Sequence, residues 1–240
     1  MTDQSHRPEG QFKGQLRGQL RGQPPALDWR GGVPVARAFQ DPYFSLDGGP
    51  AETAHVFLAG TGLPGRLRPG FSVLELGFGT GLNFLVTLRA FRGLGAPGPL
   101  RFTSFEAFPL APPDRARALA AFPELGREAA ELGEAMARPG PWDFRGGATL
   151  TVVEGDARGT LPAWEGRADA VFLDGFAPAR NPEMWDPSLL AAVAVRMAPG
   201  ARLATFTAAG PVRRALEAAG LAVERRPGFG RKRHMTVAWA

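Results

Sequence analysis

The stretch "SVLELGFGTGLNFLVTL", Ser72 to Leu88, sets one acid and three glycines at a spacing that suits a ligand. Glu75 lies in the apolar run Val73 to Leu76. Gly77, Gly79 and Gly81 follow at alternate positions, and a helical pattern then begins. A strand that turns this tightly into a helix lets its backbone approach a bound molecule closely. A triphosphate loop needs a lysine after its last glycine, and here Leu82 and Asn83 follow. A dinucleotide turn needs G-x-G-x-x-G, and Leu82 stands where the third glycine belongs.

The acid decides what fits. A pyrophosphate gains nothing from Glu75, whereas S-adenosylmethionine carries an ammonium and a sulfonium and no phosphate. A second strand ends in Glu106, within "FTSFEAF", where a carboxylate can accept both ribose hydroxyls. A third ends in "VEGDAR", which places Asp156 to accept from an adenine amino group. Three acids at three successive strand ends form one constellation of cofactor size. Asn83, just past the last glycine, is placed with them on the cofactor side.

A fourth strand ends in "DAVFLDGFAPARNPEMW". Asp174 emerges there after an apolar run, Gly175 permits a tight turn, and Phe176 offers a flat face. Amino methyltransferases carry a short acid-or-amide, proline and aromatic signature at this strand end. The polar group accepts a hydrogen bond from the target amine and the aromatic packs on the ring that bears it; here these are Asp174 and Phe176.

The elements that position these residues follow from periodicity. Strands are expected at Phe71 to Leu76, Arg101 to Glu106, Thr149 to Val153, Ala170 to Leu173, Arg202 to Phe206, Leu221 to Glu224 and Met235 to Trp239. Helical patterns fall at Leu82 to Phe91, at Pro113 to Met136 with a break at Pro123, at Pro187 to Met197, and at Val212 to Ala218. Strands alternating with helices predict an α/β fold. It is a Rossmann-like, doubly wound, mostly parallel sheet of seven strands, with ligands at the carboxyl ends of the strands. Ahead of it, residues 27–70 read as a small extension packing on a catalytic domain of 71–240, with a hairpin at Gly31-Gly32 and a helix starting near Glu52. Residues 1–26 carry the repeat "GQFKGQLRGQLRGQPP", which buries nothing and is expected to be a disordered basic tail.

Composition narrows the class. The chain has 240 residues, 44% of them hydrophobic, and no apolar run of membrane-spanning length. It opens on a polar segment without the apolar core of a signal peptide. Without cysteine it has neither disulfides nor thiolate metal sites, and its three histidines are scattered, so no metal is expected. A cytoplasmic enzyme fits. Lys and Arg number 28 against 23 acids, a net charge of +5 that favours a polyanionic partner.

From Leu27 to the C-terminus the sequence resembles the methyltransferase domain of the MnmC family of bifunctional tRNA-modifying proteins. The matching stretches are "DPYFS", "ETAHVFLAGTGL", "LELGFGTGLNFL", "SFEAFPL", "DAVFLDGFAPARNPEMW", "LATFTAAGPVRRALEAAG" and "RRPGFGRKRHM", in the family's order. The resemblance implies methyl transfer from S-adenosylmethionine to the exocyclic amine of 5-aminomethyl-2-thiouridine at the tRNA wobble position. The family's flavin-dependent oxidase domain has no counterpart in the sequence, so a stand-alone methyltransferase without flavin is expected. In that light the basic turn reads as a contact for the anticodon loop: Arg231, Lys232 and Arg233 follow Gly228-Phe229-Gly230. Tyr43, the only tyrosine, is expected to cover the cofactor or the substrate amine. Two other readings compete: an aminopropyltransferase of the polyamine type, which needs an acidic diamine pocket, and a non-catalytic RNA-binding domain with a vestigial cofactor fold.

Overall fold

The structure, a computed structural model, describes residues 24–45, 48–96 and 98–240. The Gly-Gln repeat lies outside the described residues except for its final Pro24-Pro25. The chain enters through a hairpin, β1 (Leu27–Arg30) and β2 (Val33–Ala36), joined at Gly31-Gly32 as the sequence predicts. A two-residue strand, β3 (Asp41–Pro42), pairs with β2. Helix α1 (Gly49–Thr53) continues as a π-helical turn, Ala54–Ala59.

The main sheet then alternates strand and helix. Its elements are β4 (Phe71–Leu76), α2 (Leu82–Gly93), β5 (Leu100–Glu106), α3 (Pro112–Leu119), α4 (Gly126–Ala135), β6 (Trp142–Phe144) and β7 (Ala148–Glu154). After these come α5 (Ala157–Thr160), β8 (Ala168–Leu173), α6 (Pro187–Val195), β9 (Met197–Thr205), α7 (Gly210–Ala218), β10 (Ala222–Pro227) and β11 (His234–Trp239). The strand order is β10-β11-β9-β8-β4-β5-β7-β6. The five central strands pair in parallel, while β6, β10 and β11 run antiparallel to their neighbours.

Among the described residues this sheet has eight strands, not seven. The extra one, β6, is a three-residue edge strand between Pro141 and the Gly146-Gly147 turn, too short to show a period. Strand β9 also begins at Met197, where the sequence reads as the end of a helix. Its Pro199-Gly200 segment breaks the apolar pattern, and a register shift opposite Ala168 to Ala170 absorbs the irregularity.

Alternate residues of each central strand pack into two separate cores. Val73, Phe102 and Phe172 join α2 on one face, and Leu74, Phe105 and Val171 join α6 and α7 on the other. Burial on both faces is why β4 reads as an unbroken apolar run around Glu75. The connections reverse direction between β4 and β8, so a crevice opens above their carboxyl ends. Among the described residues no helix is long and apolar enough to cross a membrane.

Candidate active site

A cavity of about 460 Å³ occupies that crevice, a volume suited to a nucleoside-sized ligand and its acceptor. Its floor is the glycine-rich turn. Gly77 has φ +92, and a Cβ there would collide with the carbonyl oxygen of Asp174. Only glycine lets the ends of β4 and β8 lie this close. Backbone bonds hold the junction: Gly77 N–H donates to Phe105 at 2.8 Å and Asp174 N–H to Leu76 at 3.0 Å.

Glu106, at the end of β5, is almost wholly buried. Its two oxygens accept from the Gly79 and Phe108 amides, each at 2.8 Å. Burial raises its pKa, and the amide hydrogen bonds oppose that rise. Each oxygen keeps a lone pair, so the carboxylate has capacity for two further hydroxyls. Asp156 lines the same cavity but caps α5 through the Arg158 amide at 2.9 Å and pairs with the Arg158 guanidinium at 2.7 Å.

Glu75 stands elsewhere than expected. It is 1% exposed and does not line the crevice. Its oxygens accept from Ser104 Oγ at 2.6 Å and Asn83 Nδ2 at 2.9 Å, so it reaches the cavity only through Asn83. Burial drives its pKa well up, Ser104 and Asn83 oppose the rise, and the charges of Asp174 and Glu106 add to it. Gly81 is likewise off the wall, because a Cβ there would meet Phe78 and Leu132 in the core. A Cβ on Gly79 would come within 3.1 Å of the Tyr43 ring, so Tyr43 covers the turn itself.

Asp174 lines the same cavity as Glu106. Asn83 Nδ2 donates to its Oδ2 at 2.6 Å. Burial pushes its pKa up to about 7; the Asn83 bond opposes this, the Glu52 charge adds to it, and the Lys232 charge opposes it. Thus Asp174 titrates near neutrality in a crevice, a property common at catalytic positions.

The wall beside Asp174 is built from distant segments. Phe176 stacks on Phe39 at 4.5 Å between ring centres and meets Tyr43 edge-on at 5.2 Å. One aromatic face expected to be open to a substrate ring is therefore taken by Phe39. Asp41 accepts from the Ala177 amide at 2.7 Å, and Arg180 donates to the Gln40 carbonyl at 2.7 Å, so residues 39–43 are strapped to the loop after β8. Burial holds the Tyr43 phenol far above its usual pKa, helped by the charges of Glu106 and Asp114.

The basic turn divides. Arg231 lines the cavity, while Arg233 is exposed outside it. Lys232 turns inward: its Nζ lies 2.8 Å from Glu52 Oε1 and 4.2 Å from the centre of the Phe206 ring. It also lines the cavity, so any part it takes as a phosphate contact competes with that pairing. Glu52, Thr53 and Phe39 had no sequence signal as site residues, because only the tertiary fold brings them to this cavity.

Residues 137–240 match the model of a family described as S-adenosyl-L-methionine-dependent methyltransferase. The chain is 48% identical over 229 residues to the tRNA 5-methylaminomethyl-2-thiouridine biosynthesis bifunctional protein MnmC of Caulobacter vibrioides, covering 90% of this chain and 38% of that protein. It is 49% identical over 225 residues to the protein of the same name from Pseudomonas aeruginosa strain UCBPP-PA14, covering 87% and 34%. The chain thus spans little more than a third of the length of these relatives. Among solved structures, MNMC2 from Aquifex aeolicus superposes with a TM-score of 0.70 at 24% identity, over 98% of this chain and 78% of that one. Spermidine synthase from Thermotoga maritima shares the fold at a TM-score of 0.56 and 10% identity, over 87% and 64%. The chain belongs to the S-adenosyl-L-methionine-dependent methyltransferases, in the family that includes the methyltransferase part of MnmC.

Proposed function

We propose that the protein methylates the exocyclic amine of 5-aminomethyl-2-thiouridine at the wobble position of tRNA, in the cytoplasm. The observation that carries this reading is Asp174: a carboxylate at the end of β8 that lines the cavity and is held by Asn83, in a chain 48% identical to part of an MnmC protein. S-adenosylmethionine fits the residues present. Glu106 has acceptor capacity for ribose hydroxyls, and Gly77 and Gly79 of the glycine turn line the cavity. When bound, it supplies a methyl group on a sulfonium that departs as a neutral thioether. Among the described residues no group of side chains is placed to hold a metal.

The chain's own residues do the rest. An ammonium cannot act as a nucleophile, so the substrate amine must shed a proton. Asp174 accepts a hydrogen bond from that amine, orients it and takes up its proton. Its raised pKa suits it to both states near neutral pH. Phe39, Tyr43 and Phe176 exclude water above the reacting atoms. Much of the acceleration comes from holding amine and methyl donor in line. Arg231 and Arg233 give the tRNA backbone its electrostatic contact. The aminopropyltransferase reading is disfavoured because Glu52, the acid a diamine would need beside Asp174, is already paired with Lys232.

The test is nucleoside mass spectrometry. tRNA bearing the aminomethyl group, incubated with protein and S-adenosylmethionine, is expected to gain one methyl on that nucleoside. Tight cofactor binding without methylation of this tRNA would contradict the assigned substrate, and absence of cofactor binding would favour the vestigial RNA-binding reading.

A further inference from the structure

Asn83 is one of the best-connected side chains at the crevice, and its contacts point away from a cofactor role. Its amide oxygen accepts from Thr53 Oγ1 at 2.7 Å. Its amide nitrogen donates to Glu75 at 2.9 Å and to Asp174 at 2.6 Å. An amide has two N–H donors, and both are used. Two carboxylates on one side and a hydroxyl donor on the other leave the amide a single favourable orientation. Glu75 is fixed in turn by Ser104 at 2.6 Å, and Asn83 and Thr53 are both buried. The chain of contacts runs Ser104, Glu75, Asn83, Asp174, with Thr53 as its lock.

We propose that Asn83 is a positioning residue for Asp174: the locked amide holds Oδ2 and leaves Oδ1 to meet the substrate amine. This rests on the amine-methylation reading. The arrangement does two things. It fixes the carboxylate plane before substrate arrives, which removes a rotational freedom from the reacting geometry. It also gives the ionised carboxylate a charge-assisted hydrogen bond, which favours its unprotonated form. The other charged groups around Asp174 are Glu52 from α1, Lys232 from the basic turn and Glu75 from β4. Of these, only Lys232 also favours the unprotonated form, and it is already paired with Glu52. Asn83 therefore stands as the direct hydrogen-bond donor to the Asp174 side chain.

The test compares wild type with Asn83→Ala and Thr53→Val. Carbon-detected NMR titration of the Asp174 carboxyl reads its midpoint without requiring turnover. Asn83→Ala is expected to move that midpoint upward by about one pH unit, the scale of one charge-assisted hydrogen bond. Thr53→Val, which only unlocks the amide, should move it in the same direction by less. Single-turnover methyl transfer should then be slowed by about tenfold or more at neutral pH in Asn83→Ala. The deficit should shrink as pH rises, with S-adenosylmethionine affinity within about twofold of wild type. An unmoved midpoint in both variants would overturn the proposal. So would a loss of cofactor affinity in Asn83→Ala without a shift, which would make Asn83 a cofactor contact. If Asn83→Ala does not fold, an unmoved midpoint in Thr53→Val overturns it alone. A shifted midpoint in a protein that methylates no aminomethyl tRNA would leave the positioning role standing and remove the function assigned above.

Discussion

Glu106 and Asp174 line one crevice, yet their surroundings are assembled in opposite ways. Glu106 is held by Gly79, 27 positions away, within a single strand-turn-helix-strand unit. Asp174 lies beneath a wall in which Ala177 binds Asp41 across 136 positions and Lys232 binds Glu52 across 180. The hydrogen bonds that hold Glu106 need only local chain geometry. The wall around Asp174 is complete only once the first described strands and the last turn have closed on the sheet. On the proposed reading, a generic cofactor platform is thus combined with an acceptor site contributed by segments far apart in the sequence.

That contrast breaks most sharply where the walls touch. Gly77→Ala forces a Cβ into the Asp174 carbonyl at a positive φ, so it should damage both walls together. Methyl transfer is expected to fall by more than about 100-fold, with a stability loss of about 2–3 kcal/mol in denaturant titration. Wild-type turnover would show that the two walls are independent. Next in size, Glu106→Ala should weaken S-adenosylmethionine binding by roughly 10- to 100-fold, measured by calorimetry, while tRNA affinity stays near wild type.

A smaller effect separates the two arginines of the basic turn from its lysine. Arg231 and Arg233 changed together to Ala should flatten the salt dependence of tRNA binding by about 1.5 units in the log–log slope. Adding Lys232→Ala should change that slope little, because Lys232 is paired with Glu52. Equal slope changes for each of the three would mean that the inward lysine swings out on binding. The smallest expected effect is at the strap: Arg180→Ala removes the bonds to Phe39 and Gln40 and should raise the KM for tRNA by about two- to fivefold with kcat nearly unchanged.

The same contrast explains what the sequence made legible. Strand β4 and the start of α2 fall where periodicity puts them, because a buried parallel strand and its turn are written in consecutive residues. That Asp174 and Glu106 reach the cavity is legible for the same reason: each ends an apolar run. Glu75 fits that rule too and still misled, because ending a strand does not say which way the side chain points. Here Ser104 and Asn83 enclose it. Glu52 gave no signal, since its meaning depends on Lys232, and Phe176 reads as an open stacking face until Phe39 is seen against it. Edge strand β6 was invisible because three residues cannot show a period.

In the proposed reaction Asp174 accepts the proton that frees the substrate amine. Asp174→Asn keeps the shape and an acceptor oxygen but removes the titrating group. The decisive measurement is single-turnover methyl transfer to tRNA bearing the aminomethyl group, followed from mildly acidic to alkaline pH. Because the Asp174 pKa is pushed up to about 7, the wild-type rate should rise as pH increases through that value, where the carboxylate loses its proton. In Asp174→Asn that rise should be absent and the rate lower on the order of 100-fold at neutral pH, with S-adenosylmethionine affinity little changed. Near-wild-type rates for Asp174→Asn at every pH would contradict the account.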